Sequence, residues 1–135
     1  MEGLDLVKQS YGRVCLNPKF LDRFYDIFLG SHPSIKPMFS HTQMAQQKQL
    51  LKTGVAMLIS HVEGKAAGTM TLDRIGKSHS KKKLNIQPGL YQYWINSLVT
   101  ATKECDTKWT PDIERSWHTV LRAGVDYIVE QYEKP

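Results

Sequence analysis

Leu72-Asp73-Arg74-Ile75-Gly76-Lys77-Ser78-His79 is a short segment whose apolar positions fall on one face of a helix. Leu72, Ile75 and His79 follow the i, i+3, i+7 spacing of such a face, which we expect to point inward. Because imidazole is the commonest metal ligand in proteins, a histidine presented between apolar helices could hold the iron of a haem. A lone histidine is more often a structural or surface residue. The rest of the chain therefore has to decide between the two interpretations.

Every other pattern that we recognise is also helical. Apolar residues recur at intervals of three to four along the stretches 4–15, 18–29, 42–62, 88–104 and from Pro111 onward. Thr110 and Pro111 form a typical helix start. The residues 32–39 are too short and proline-rich for more than a corner, and no stretch reads as a strand. The sequence therefore predicts an all-α fold of about seven helices with short connections.

Glycines in two stretches lead to specific structural predictions. Gly54 interrupts the interior of the 42–62 helix at a cost of ~1 kcal/mol relative to alanine, so we expect another helix to cross closely there. The stretch from Gly64 to Gly68 reads as a linker.

Composition limits the classes of protein that the chain can belong to. Its 135 residues suit a single domain spanning 1–135, and no apolar run approaches the roughly 20 residues needed to cross a bilayer. The acidic start of the chain is unlike a signal peptide, and the two cysteines form no CxxC motif. We therefore expect a protein of the reducing cytoplasm that is not associated with a membrane.

The net charge of +5 includes a cluster of Lys77, Lys81, Lys82 and Lys83 around His79. Nucleic-acid binding usually needs a longer basic stripe with stacking aromatic residues, and none are interleaved here. A solvated face is the expected role of this cluster, and no nucleic-acid partner is expected. Lysines at a helix C-terminus also complement the helix dipole and could meet the propionates of a haem.

The order and spacing of four motifs resemble a globin, specifically the single-domain bacterial globins related to the haem domain of flavohaemoglobins. The stretch Phe24-Tyr25-Asp26-Ile27-Phe28 through Pro33 resembles the family's FYxxxFxxxP helix. Phe39 matches the phenylalanine that stacks on the porphyrin at a helix corner. Met44-Ala45-Gln46-Gln47-Lys48-Gln49-Leu50-Leu51 resembles the start of the distal helix, and Ile75 to His79 resembles the proximal segment. The resemblance covers nearly the whole chain.

The resemblance implies a role for each matching residue. His79 is implied as the proximal iron ligand and Tyr25 as a distal residue, with a globin fold of the three-over-three type around haem b. The distal glutamine is either Gln46, paired with Leu50, or Gln47, paired with Leu51, and a helix-face comparison favours the first. The residues expected to line the haem pocket are Phe39, Leu50, Ile86, Tyr91, Trp94 and Leu98.

In flavohaemoglobins a tyrosine and a glutamate polarise the proximal histidine. Tyr91 fits the tyrosine, although it lies two residues further from His79 than in those proteins. The expected glutamate position falls near Tyr132, with Glu130 and Glu133 close by.

The resemblance implies reversible binding of O₂, and also of NO and CO, with hydrogen bonds from Tyr25 and a glutamine to the ligand. The alternative is an enzyme, an NO dioxygenase or a peroxidase-like protein, or a gas sensor that acts through a separate partner. The chain has no GxGxxG motif and no flavin or nicotinamide domain, so turnover would need an external reductase. This favours a gas-binding protein, which we expect to be a monomer or a weak homodimer.

Overall fold

The computed structural model describes residues 3–134. These residues form six α-helices, one fewer than the number predicted: α1 (Leu4–Val14), α2 (Phe20–Leu29), α3 (Met44–Val62), α4 (Ala66–Ser78), α5 (Tyr91–Cys105) and α6 (Pro111–Val129). Two short 3₁₀ helices, Lys36–Phe39 and Pro88–Leu90, lie before α3 and α5. Within the described residues there is no strand, which confirms the all-α prediction.

The predicted stretches and the observed helices differ mainly at their ends. The start of α6 is as predicted, because the Thr110 side chain accepts a hydrogen bond from the backbone N–H of Ile113 at 3.2 Å and Pro111 begins the helix. The linker predicted from Gly64 to Gly68 is shorter than expected: Gly64 and Lys65 do connect α3 and α4, but α4 already begins at Ala66.

The helices pack in pairs around one core. The contacts of α3 with α4 are the most extensive, α2 packs on α5, and α6 contacts α1, α3, α4 and α5. Trp117 of α6 is fully buried, as are Phe24 of α2 and Leu98 of α5. Burial of such large apolar side chains supplies the main driving force for this arrangement. No helix among residues 3–134 is long and apolar enough to cross a membrane.

The close helix approach expected at Gly54 occurs at a different glycine. A side chain built on Gly54 would meet nothing within 4 Å, so that expectation is wrong. At Gly68 of α4, an added Cβ would lie 2.3 Å from the backbone nitrogen of His61 and 2.6 Å from the carbonyl oxygen of Met57. Gly68 therefore allows α4 to pack directly on the backbone of α3.

Candidate functional site

His79 lies at the C-terminal end of α4, where its backbone N–H donates to the carbonyl of Ile75 at 2.9 Å. Its ring atom Nδ1 is 3.0 Å from the hydroxyl of Tyr91, the first residue of α5. The carbonyl of His79 also accepts a hydrogen bond from Ile86 at 3.0 Å. Hydrogen bonds therefore hold both the backbone and the ring of His79, and one of them links His79 to Ile86.

Burial sets the protonation of this pair. It lowers the pKa of His79 and raises the pKa of Tyr91, so at neutral pH the imidazole is neutral and the phenol keeps its proton. When Nδ1–H donates to the Tyr91 oxygen, the lone pair of Nε2 is left free, and no described residue hydrogen-bonds to Nε2. A neutral imidazole with one nitrogen bonded and the other free has the form of a metal-ligating histidine.

The expected glutamate has no counterpart beside this pair. The hydroxyl of Tyr132 donates to Asn85 at 2.6 Å, and the carboxylate of Glu133 lies 3.8 Å from the ammonium of Lys81. Among residues 3–134, no carboxylate is hydrogen-bonded to His79 or Tyr91. Tyr91 therefore orients the histidine without a charged partner.

Tyr25 and Gln47 form a second polar pair, between α2 and α3. Tyr25 is 4% exposed, and its hydroxyl oxygen accepts a hydrogen bond from Nε2 of Gln47 at 3.1 Å. The hydroxyl also lies 3.5 Å from the backbone carbonyl of Gln47. Burial raises the pKa of Tyr25 despite the opposing effect of the Gln47 hydrogen bond, so the phenol remains a donor at neutral pH.

The preference for Gln46 with Leu50 needs correction. Gln46 is exposed, and Leu50 is 59% exposed on the outside of α3. Gln47 instead reaches Tyr25, and Leu51, one turn later on the same face, is only 8% exposed. The alternative register, Gln47 with Leu51, is the one that faces the other helices.

Aromatic side chains pack against the ring of Tyr25. The ring of Phe39 lies edge-on to Tyr25 with centroids 6.0 Å apart, and it contacts Phe28 at 6.1 Å. Phe39 also lines a cavity of about 650 Å³ at the corner between α2 and α3, together with Leu29, His32 and Met44.

The remaining predicted pocket residues lie at different depths. Trp94 is half-buried and packs against Phe24 with ring centroids 6.4 Å apart. Ile86 is half-buried against the core, whereas Leu98 is completely buried. No hydrogen bond or aromatic contact among the described residues connects the His79 pair with the Tyr25 pair.

The donor set suits a haem better than a metal ion held by protein alone. Within residues 3–134, no three His, Cys, Asp or Glu side chains lie close enough together to bind a metal. His79 offers one nitrogen, which fits a group that brings its other iron donors with it. Half-buried Phe39, Ile86 and Trp94 provide apolar surface for such a group to cover.

Comparison with known proteins supports the same interpretation. A sequence model of the globin family matches residues 22–128. A flavohemoprotein of Vibrio cholerae serotype O1 is 27% identical over 103 residues, which are 74% of this chain but only 26% of the flavohemoprotein.

A crystal structure from Pseudomonas aeruginosa PAO1 has a very similar fold. That protein is described as structurally highly homologous to a human hemoglobin, and it matches this chain with a TM-score of 0.93 and 36% identity. The alignment covers 97% of this chain and 98% of the other. The predicted globin fold is thereby confirmed.

Proposed function

The chain belongs to the globin family, and we propose that it binds haem b through His79 and reversibly binds a diatomic gas, O₂ as well as NO and CO. The observation that carries the proposal is the 3.0 Å contact of the His79 Nδ1 with Tyr91, which leaves Nε2 free to bind iron. When bound, haem supplies an iron with one open coordination position for a gas ligand.

Tyr25 and Gln47 would act on the gas ligand. A gas ligand held by the haem would carry partial negative charge, and the Tyr25 phenol and the Gln47 amide N–H₂ could each donate a hydrogen bond to it. Tyr25 is buried and Gln47 is half-buried beside it, and hydrogen bonds are stronger where water is largely excluded. Slow release of O₂ is the expected property. Phe39, Ile86 and Trp94 would hold the haem through apolar contacts.

The absorption spectrum of the purified protein tests this proposal. We expect a Soret band that shifts on oxygenation, and a severe loss of haem in His79→Ala that added imidazole restores. His41→Ala is the matched control, because His41 is exposed and no hydrogen bond to its side chain is found among the described residues. Absence of haem from the wild-type protein, or an unchanged spectrum in His79→Ala, would overturn the proposal.

NO dioxygenase activity is a second candidate function. Its support is the similarity to a flavohemoprotein, a protein whose name indicates both a haem and a flavin. The activity would convert NO and O₂ to nitrate, with electrons supplied by an external reductase. It is tested by NO consumption under O₂ in the presence of a reductase, with one nitrate formed for each NO consumed. NO loss at the rate of the reductase alone would exclude it.

A further inference from the structure

A compact basic surface lies on both sides of His79 in the sequence. Lys77, Lys81, Lys82 and Lys83 are all exposed, and Leu84 beside them is 65% exposed. We call these five residues the basic turn. Within the described residues only Lys81 of this group has a carboxylate within 4 Å, that of Glu133 at 3.8 Å. Most of the positive charge of the turn is therefore available to a partner.

The basic turn is held in one conformation by its own backbone. The N–H of Lys83 donates to Ser80 at 3.0 Å, and that of Leu84 donates to Ser78 at 3.0 Å. The N–H of Lys81 donates to the carbonyl of Tyr132 at 3.0 Å, which ties the turn to the segment after α6. Because the backbone is already ordered, binding a partner here costs little further backbone entropy.

The position of the turn relates it to the candidate haem ligand. The hydrogen bond from the Ile86 N–H to the carbonyl of His79 closes the turn, so the turn begins and ends beside the candidate iron ligand. A partner that covers Lys82, Lys83 and Leu84 would therefore dock within a few residues of His79. An exposed apolar residue among charged ones is also typical of small, transient interfaces, in which charge steers the encounter.

We propose that the basic turn docks an acidic one-electron carrier protein that reduces the haem iron. This inference rests on the proposed function. One electron leaves the reduced carrier, which is oxidised, and the ferric iron becomes ferrous, while no atom or proton needs to be transferred. The carrier must be acidic because the turn and the whole chain, with a net charge of +5, are basic.

The basic turn matches the surface of a small protein better than it matches the phosphates of a nucleic acid or of a membrane. The four lysines lie within seven residues, at the end of α4 and on the turn after it, and no aromatic residue among them offers a stacking surface for a base. An anionic membrane surface would engage the lysines without any need for the neighbouring haem ligand. Binding to anionic vesicles is therefore compared with binding to the carrier protein.

The test is a titration of the ¹⁵N-labelled haem protein with oxidised flavodoxin, a small acidic flavoprotein, at low salt. We expect chemical-shift changes centred on residues 77–86 and a Kd that weakens at least about tenfold in the variant Lys82→Glu/Lys83→Glu. The matched control is Lys19→Glu/Lys108→Glu, which changes the net charge equally at exposed lysines before α2 and before α6. Its Kd should be close to that of the wild type.

Stopped-flow reduction provides the second measurement. Reduced flavodoxin should reduce the haem of the Lys82→Glu/Lys83→Glu variant at least about tenfold more slowly than that of the wild type. Reduced methyl viologen is a small cation, and it should reduce both double variants no more slowly than the wild type. Equal effects of the two double variants, shift changes elsewhere, or tighter binding to vesicles containing phosphatidylserine than to flavodoxin would overturn the docking proposal. Failure of the proposed function looks different, because the wild type would then show no Soret band at all.

Discussion

The hydroxyl of Tyr91 lies 3.0 Å from Nδ1 of His79, across the junction between the end of α4 and the start of α5. It is the only hydrogen-bond partner of the ring among the described residues. Since partners of this kind orient a metal-ligating histidine and tune its basicity, Tyr91 is a positioning residue for the proposed ligand.

Tyr91→Phe should weaken haem binding by about 10- to 100-fold, because the imidazole loses the contact that orients it. The measurement is the rate of haem transfer to excess apomyoglobin. Tyr93→Phe is the control, since Tyr93 is 36% exposed and no hydrogen bond to its hydroxyl is found among the described residues. Equal rates of haem loss from the two variants would show that Tyr91 has no positioning role.

Gln47→Leu should release O₂ about 10- to 100-fold faster than the wild type, because a hydrogen bond to a partly charged ligand contributes about 1.5 to 3 kcal/mol. Gln46→Leu should leave the rate unchanged, since Gln46 is exposed. Stopped-flow displacement of O₂ by CO measures both rates. A faster rate in Gln46→Leu than in Gln47→Leu would contradict the register seen in the structure.

The distal register shows where the sequence was ambiguous. Gln46 and Gln47 are adjacent, and each has a leucine one turn later, so a comparison of short helix faces could not separate them. The signal that was missed lies further along α3. Gln47 and Leu51 share a face with Val55 and Leu58, which are 1% and 2% exposed. Comparing the whole length of the two helix faces would have identified the face of Gln47 as the one that points inward.

The proximal half of the site was easier to anticipate. His79 and Tyr91 could be named together from the family resemblance, although Tyr91 lies further along the chain than expected. The structure accommodates the longer spacing with the hydrogen-bonded turn between Ser78 and Ile86, where Asn85 has a φ of 53°. The departure at the glutamate position was already visible in the sequence, since that position falls near Tyr132. The geometry of the turn depends on tertiary packing that no local motif encodes, and it could not be predicted.

The same limitation applies to the glycines, and it leads to a prediction. Gly68→Ala should destabilise the protein by about 3 kcal/mol or more, because the new Cβ would overlap backbone atoms of α3 that cannot move away. Gly54→Ala should instead stabilise it by up to about 1 kcal/mol, since the site is open and alanine favours the helix. Urea unfolding of both variants measures the difference. Similar effects of the two substitutions would contradict the close packing at Gly68.

A buried carboxylate connects α1 with the end of α5. Asp106 is 5% exposed and accepts hydrogen bonds from Ser10 at 2.7 Å and from Arg13 at 2.6 and 2.9 Å. Trp117 donates to the same Ser10 at 3.0 Å, which adds α6 to the network. Burial disfavours ionisation of Asp106, but the hydrogen bonds from Arg13, Ser10 and the backbone of Lys108 outweigh it and hold its pKa at about 2.

This lowered pKa predicts an acid-sensitive contribution to stability. The pKa of Asp106 is about 2 in the folded protein, against 3.8 for an unperturbed aspartate as in the unfolded chain. Ionised Asp106 therefore stabilises the fold by about 2 kcal/mol above pH 4. The contribution should be lost as the pH falls from about 4 to 2. The free energy of unfolding of the wild type should therefore exceed that of Asp106→Asn at pH 7 and pH 5, with the gap narrowing at pH 3. Asp26→Asn, at an exposed position in α2, should show no such gap. A gap for Asp106→Asn that does not change between pH 5 and pH 3 would contradict the assigned pKa.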